Sequence, residues 1–429
     1  MRRQFSIGYR RYALGLLFVV YVFNFVDRQI LSILLEPIRQ DIELSDTQLG
    51  FLGGIAFALF YATAGIPIAR WADTGSRRTI IALGIAVWSG MTALTGLARG
   101  FGTLALARIG VGVGEAACSP PAHSLISDFF PPERRGTALS IYSLGIPVGA
   151  AIGTLVGGWV GEAFGWRTAF MVVGLPGLAL ALVVRLTLHD PPRGMADREA
   201  EPEPREQAPV DQENWREVFA FMMRLRSFRH LAMAGSLHAF VGYGAGLFNP
   251  AYFIRTHGMG LAEISTWFFF IGLTGAIGTF LGGFLGDRFG GTDARWYMWI
   301  PAIATTAGIP LSACLYVWPV PEQALMFAFP AAIVGPMYLG PTFAITQSLV
   351  KIGMRAMASA ILLFILNMIG LGLGPWFVGV LSDALVPSYG VDSLGTSLLW
   401  VVVVGNAWST VHYVLAARTL REDLGMKDR

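Results

Sequence analysis

Hydrophobic positions gather into blocks of about twenty residues or more that recur along nearly the whole chain. Each block ends in a short connection carrying Gly, Pro or charge, the pattern of membrane-spanning helices. The blocks predict helices over 12–36, 47–70, 79–98, 101–126, 134–158, 167–188, 229–256, 262–287, 296–316, 324–349, 355–384 and 391–418. No stretch of a size useful for a soluble domain is left between them. The polar interruption His189–Asn214, HDPPRGMADREAEPEPREQAPVDQEN, is charged, proline-rich and almost free of large apolar side chains. It cannot bury enough surface to fold alone and reads as a linker. After it, WREVFAFMMRLRSFRH spaces Trp215, Val218, Phe219 and Met222 at helical intervals with arginines between them. That suits a helix lying at the cytoplasmic interface, with an ordinary start to the seventh span as the other reading. The expected fold class is an all-α membrane protein of twelve transmembrane helices in two pseudo-symmetric six-helix bundles. Residues 1–188 form one bundle, 229–429 the other, and 189–228 the cytoplasmic linker with its interfacial helix.

Composition agrees. Of 429 residues, 54% are hydrophobic and 14% charged, against about a quarter charged in a soluble domain. The net charge of +3 says little, because in a membrane protein the position of positive charge carries the information. One side of the predicted bundle collects Arg70, Arg77, Arg78, Arg134, Arg135, Arg288, Arg295, Lys351, Arg355, both termini and the linker. The other holds only Arg39, Arg99, Arg167 and Arg255. Both termini are therefore expected in the cytoplasm of a multi-pass protein of the cell inner membrane, which requires an even number of spans. The first apolar block follows Arg2, Arg3, Arg10 and Arg11 and lacks an A-x-A cleavage pattern, so it reads as a retained helix. Cys118 and Cys314 lie in apolar segments with no metal-ligand spacing and read as small buried hydrophobes.

The halves echo each other. ARWADTGSRR (Ala69 to Arg78) stands between the second and third helices, and GFLGDRFGG (Gly283 to Gly291) between the eighth and ninth. The second copy closely matches the G-x-L-x-D-R-x-G loop of the major facilitator superfamily; the first is a degraded version, with Ala69 for the leading glycine and Thr74 where an arginine is usual. R-x-G-x-G-x-G-E from Arg108 to Glu115, P-E-R-R-G-x-A from Pro132 to Ala138, glycines at 145, 149, 153 and 157, and GWRTAF from Gly165 to Phe170 extend the likeness over nearly the whole chain. NFVDRQILSILLEPIRQDIELSDTQLG in the first helix resembles the Spinster-type branch, carried mainly by Asn24, Asp27, Arg28 and the fourth helix. The resemblance implies a transporter working by alternating access, expected as a monomer.

Ionisable groups inside hydrocarbon cost about 2.5–3.5 kcal/mol each on insertion scales, so they face a cavity or a partner. Asp27 and Arg28 in the first helix and Arg108 and Glu115 in the fourth are such groups. Arg108 and Glu115 are seven apart, close to two turns, and share a face with Gly112. Asp27 lies roughly 22 Å along its helix and Arg108 roughly 10 Å below the opposite surface, so the two sit at similar depth. A carboxylate that trades an arginine partner for an apolar setting loads and releases a proton. Asp27 and Glu115 are the expected proton-coupling acids with Arg108 as the charge between them, roles that the Spinster resemblance also implies; a static buried ion pair is the alternative. Asp73 with Arg77 and Arg78, and Asp287 with Arg288, are expected as a cytoplasmic gate whose charges bridge helices in one conformation and part in the other. Gly370, Gly372, Gly374, Pro375 and Gly379 in the eleventh helix, like the fifth-helix glycines, permit close approach and bending.

For the solute, Arg28 and Asn24 in the first helix and Tyr243, Phe248 and Asn249 in the seventh are the expected contacts, joined by Tyr252, Phe253 and Phe268 to Phe270 in an aromatic half. An apolar half facing a charged one suits a solute with a lipid tail and a polar or anionic head, and Spinster relatives are associated with sphingoid and lysolipid substrates. A proton symporter of small organic anions, such as sugar acids or aromatic acids, is the alternative; it needs more buried cations than Arg28, Arg108 and Arg255. His123, His238 and His412 are candidate relays, though each is more often a packing residue. No catalytic residue, metal site, cofactor or nucleic-acid partner is expected. No G-x-x-x-x-G-K-[ST] phosphate loop is present, so an ion gradient must supply the energy, and the proton gradient is the expected source.

Overall fold

The computed structural model describes residues 5–200 and 215–425; Arg2, Arg3 and linker residues 201–214 lie outside them. Among the described residues there is no strand. Eleven segments are long and apolar enough to cross a membrane: Ile7–Ile33, Asp46–Thr74, Arg77–Thr95, Phe101–Phe129, Pro132–Phe164, Trp166–Thr187, Arg226–His257, Leu261–Gly290, Trp296–Val317, Pro321–Ser348 and Arg355–Leu424. The last runs for 70 residues and turns at Gly390, whose φ of 57° and ψ of −122° only glycine adopts readily. It therefore holds two spans, one ending at Tyr389 and one from Ser393 to Leu424. The result is the twelve-helix all-α architecture.

Two compact units form. The first gathers the chain up to Leu44, Ala56 to the linker, and Gly260–Phe269. Its first helix starts at a Ser6 cap, which accepts from the Tyr9 N–H at 3.2 Å. It lies in a groove made by the glycine ladder: a Cβ at Gly145 would strike Tyr21, at Gly149 the Val22 carbonyl and Phe25, at Gly153 Val26, and at Gly157 Ile33. The fourth span is interrupted. Helix Phe101–Glu115 stops, three residues turn, and Ser119–Phe129 resumes with Pro120 and Pro121, which lack an amide hydrogen, in its first turn. Glu115 is thus the last residue before the break. The linker's start is tied to this unit: the Tyr9 hydroxyl lies 2.9 Å from His189 Nδ1, Arg193 donates to the Ala72 carbonyl at 2.6 Å, and Ala196 is buried.

The second unit gathers Ser45–Ile55, the end of the linker to Met259, and Phe270 onward. The second span is accordingly divided, at Gly54, between short helix Asp46–Gly53 and helix Ile55–Thr74. The short helix starts in a capping box, with Ser45 Oγ accepting from the Gln48 N–H at 3.2 Å and Gln48 Oε1 from the Ser45 N–H at 3.0 Å. It packs backbone to backbone on the eleventh span, Gly50 against the Pro375 carbonyl and Gly379 against the Asp46 carbonyl. The eleventh span carries a π-helical stretch, Asn367–Leu373, and Gly370 and Gly374 let it meet Ala239 and Phe240 of the seventh. Helix Trp215–Arg224 is the expected amphipathic element: Val218 and Met222 are buried in a cluster with Phe228, Met298 and Tyr413, while Trp215 and Phe219 are exposed.

Candidate functional site

The first unit holds the charges that the hydrocarbon should exclude. Asn24, Asp27, Arg108 and Glu115 are all buried. Consecutive residues on a helix point about 100° apart, so Asp27 and Arg28 address different neighbours. Arg28 Nε donates to Glu115 Oε2 at 2.5 Å, its side chain 24% exposed and that of Glu115 not at all. The guanidinium also lies 4.9 Å from the ring centroids of Phe57 and Tyr61 and 5.0 Å from that of Phe25. Such an aromatic cage holds a cation by its ring quadrupoles. Arg108 reaches the same Phe57 ring, 5.3 Å from its centroid, and Gly112 backs onto the Phe57 carbonyl. Two guanidiniums thus share one ring, with the carboxyls of Asp27 and Glu115 buried in the same unit.

The fold brings the expected coupling residues together but distributes their partners in its own way. Arg28, assigned from sequence to the solute, holds Glu115, and Arg108 lies over the Phe57 ring that Arg28 also faces. Neither oxygen of Asp27 has a hydrogen-bond partner, and neither have Glu115 Oε1 and Asn24 Nδ2. A buried carboxyl with no closed hydrogen bond is a place where a proton can be held and given up.

The charge clusters at the helix ends are organised differently from the expected gate. Arg77 is buried and donates to Asp128, to Ser124 Oγ at 2.9 Å, to the Pro191 carbonyl at 2.7 Å and to Asp190 Oδ1 at 3.3 Å. The N–H of Arg78 points at Asp190, at 3.3 and 3.4 Å, and the Arg78 guanidinium reaches the Leu188 carbonyl. Asp73 is exposed; the bonds of both arginines go to the fourth span and the linker. In the second copy Asp287 accepts from the Tyr297 hydroxyl at 3.0 Å, and Arg288 is exposed. Nearby, Asp293 bonds Arg295 at 2.8 Å and Arg421 at 2.9 Å, and the Arg295 hydrogen bonds pull its carboxyl down to about 2. Asp128, Asp190 and Asp293 escaped the sequence reading, since single acids in loops or at a helix end give no signal until the fold supplies a base.

In the second unit Asp46 accepts two bonds from Arg255, at 2.8 and 2.9 Å, and one from Ser382 Oγ at 2.6 Å. Asp383 accepts from the N–H of Asp46 at 3.1 Å and of Thr47 at 2.8 Å, capping the short helix. Arg255, considered as a buried cation for an anion, is bound here to a carboxylate of the chain. Of the expected solute contacts, Phe248 is buried, Asn249 accepts from the Tyr316 hydroxyl at 2.7 Å, and Tyr243 is exposed. Tyr252 and Phe253 are buried, Phe268 and Phe269 half-buried and Phe270 exposed. His238 joins Gly335 O at 2.7 Å and Thr305 Oγ1 at 3.1 Å. His412 joins His230, Nδ1 to Nδ1, at 3.0 Å, and His123 packs edge-on to Tyr142.

The model of the Major Facilitator Superfamily matches residues 17–375. An MFS-type efflux pump of Mycolicibacterium smegmatis is 34% identical over 413 residues, covering 96% of this chain and 94% of that one. A sphingosine-1-phosphate transporter of Danio rerio is 25% identical over 422 residues, covering 92% of this chain and 82% of that one. The crystal structure of a bacterial homologue of the human lysosomal transporter Spinster, inward-facing and unoccupied, matches with a TM-score of 0.88 at 32% identity, covering 98% of this chain and 99% of that one.

Proposed function

The chain belongs to the major facilitator superfamily, in its Spinster-like branch, and is a multi-pass membrane transporter rather than an enzyme; from that premise we propose that it carries an amphipathic, lipid-type solute across the cell inner membrane by alternating access, driven by protons. The observation that carries the reading is the Arg28–Glu115 pair beside Asp27. Arg28 is the half-open partner of a closed carboxylate, so an anionic head group arriving from water meets its guanidinium before it meets Glu115. Bidentate capture by the head group competes with the single Nε bond to Glu115. Glu115, losing its cation while buried, takes up a proton, because an unpaired buried carboxylate costs several kcal/mol. Asp27, close to the same Arg108, is the second carrier.

The name of the Danio rerio relative supports a lipid phosphate as the solute class, and the aromatic cage around Arg28 suits an apolar tail next to the head group. Both termini lie in the cytoplasm on this reading, and the gradient is the only energy source.

Transport in proteoliposomes with an imposed pH gradient tests it, comparing a fluorescent lysolipid with a labelled sugar acid for the parent, Asp27→Asn and Glu115→Gln. Lipid movement that follows the gradient and vanishes in both variants is expected. Uptake of the sugar acid alone would replace the lipid by a small anion, and movement indifferent to the gradient would reduce the carboxyls to packing.

A further inference from the structure

Around Asp27 the structure leaves more than one polar group uncommitted. Trp88 and Thr92 stand on helix Arg77–Thr95, four residues apart and so on one face. Both are buried, and neither the Trp88 indole N–H nor the Thr92 hydroxyl has a hydrogen-bond partner. Both are within reach of the Asp27 carboxyl, whose two oxygens are themselves unpartnered. A threonine in an apolar helix ordinarily returns its hydroxyl to the carbonyl one turn back. Thr95, on the same helix, does so to Met91 O at 2.9 Å, and Thr154 to Ala150 O at 2.9 Å. Thr92 withholds that bond. Trp88 sits where Gly114 opens the fourth span to it, yet its N–H, which a buried indole normally satisfies, is left open. Ser89, the third uncommitted polar group of this helix, is turned against Gly177 of the sixth span and is a packing residue.

We infer that Thr92 and Trp88 are positioning residues for Asp27: they are the hydrogen-bond donors that take hold of its carboxylate when the proton leaves. The neutral acid is tolerated in a buried site without them; the anion is not. When the Asp27 O–H bond breaks, the proton passes to water and the charge stays on the carboxylate, which the Thr92 hydroxyl and the Trp88 N–H are placed to hold. Hydrogen bonds to the charged form favour it, so these two side chains set the pH at which Asp27 lets go. The charged groups that face Asp27 are Arg108 and Glu115 of the fourth span. Arg28 on its own helix is engaged by Glu115. The charged residues of the third, fifth and sixth spans stand near their ends: Arg77 and Arg78, Glu133, Arg134, Arg135 and Glu162, Arg167 and Arg185.

This inference rests on the reading of Asp27 as a proton carrier, and infrared titration of the purified protein in lipid separates the two without needing the solute. The protonated-carboxyl band that disappears in Asp27→Asn reports Asp27 directly. In Thr92→Val its midpoint is expected about one pH unit more alkaline, the size of one hydrogen bond to a charged group. Thr92→Ser returns it to the parent value, and Trp88→Phe shifts it in the same direction by a similar amount. A band that titrates in the parent but keeps its midpoint in both Thr92→Val and Trp88→Phe overturns the positioning role and leaves the proton reading standing. A parent with no band lost in Asp27→Asn at any pH overturns both.

Discussion

Removing Arg255 should loosen one short helix far more than any other substitution in its neighbourhood. The Asp46 carboxylate is 4% exposed and takes three bonds, two from Arg255 and one from Ser382. Arg255→Met takes the guanidinium from a buried carboxylate, a loss of about 3–5 kcal/mol for a broken buried pair. If that loss falls on local opening of helix Asp46–Gly53, its amides exchange about a hundred to a few thousand times faster. Asp383→Asn removes only part of an N-terminal cap, about 1 kcal/mol, or about fivefold. The double variant Asp46→Asn with Arg255→Met removes charge from both sides and should return exchange to within about tenfold of the parent. Hydrogen–deuterium exchange mass spectrometry of a peptide covering residues 46–53 reads all four proteins. Acceleration below tenfold in Arg255→Met, or a double variant as loose as the single, would refute the assignment of this helix's hold to the pair.

Other outcomes follow from the packing and the ion pairs. Gly149→Leu pushes against the Val22 carbonyl and Phe25, and should lower stability to detergent unfolding by about 1–3 kcal/mol, the cost of overpacking, while Gly136→Ala, with open space around it, should change little. Arg77→Ala takes the cation from Asp128 and should cost about 3–5 kcal/mol in the same assay, whereas Asp73→Ala at an exposed position stays within about 0.5 kcal/mol. Asp293, its carboxyl drawn down to about 2 by Arg295, stabilises the fold above its unfolded value of about 4 and loses that contribution as pH falls from there towards 2. Thermal melts of the parent and Asp293→Asn should therefore differ at pH 6 and converge near pH 2, the difference shrinking in high salt because the group is only partly buried.

The spans were legible because lipid demands long apolar runs: 101–126 was expected where Phe101–Phe129 stands, and 296–316 where Trp296–Val317 stands. What hydropathy does not encode is where a span breaks. Gly54 and the turn after Glu115 leave an apolar block apolar, and Pro120 and Pro121 in its sequence carried the only hint of the second. Asp27, Arg28, Arg108 and Glu115 stood out because charge in hydrocarbon is expensive. Which arginine holds Glu115 depends on the rotation of the first helix against the glycine ladder and on rings contributed by the second span, neither of which is written locally. Arg77 was visible as a charge, but its partners Asp128 and Asp190 are 51 and 113 residues away. Trp88 and Thr92 gave no signal at all, since an indole and a small hydroxyl suit an apolar helix for ordinary reasons.

The interruption of the fourth span after Glu115 divides that helix between two kinds of selection. Its upper piece carries Arg108 and Glu115, whose spacing tolerates no change of register; its lower piece carries Asp128, which answers to Arg77 and to the backbone N–H of Gly194 in the linker. In a continuous helix, adjusting one would rotate the other by about 100° for every residue gained or lost. The three-residue turn absorbs such a change, so the ties at the membrane surface can drift among relatives while the buried charges keep their places.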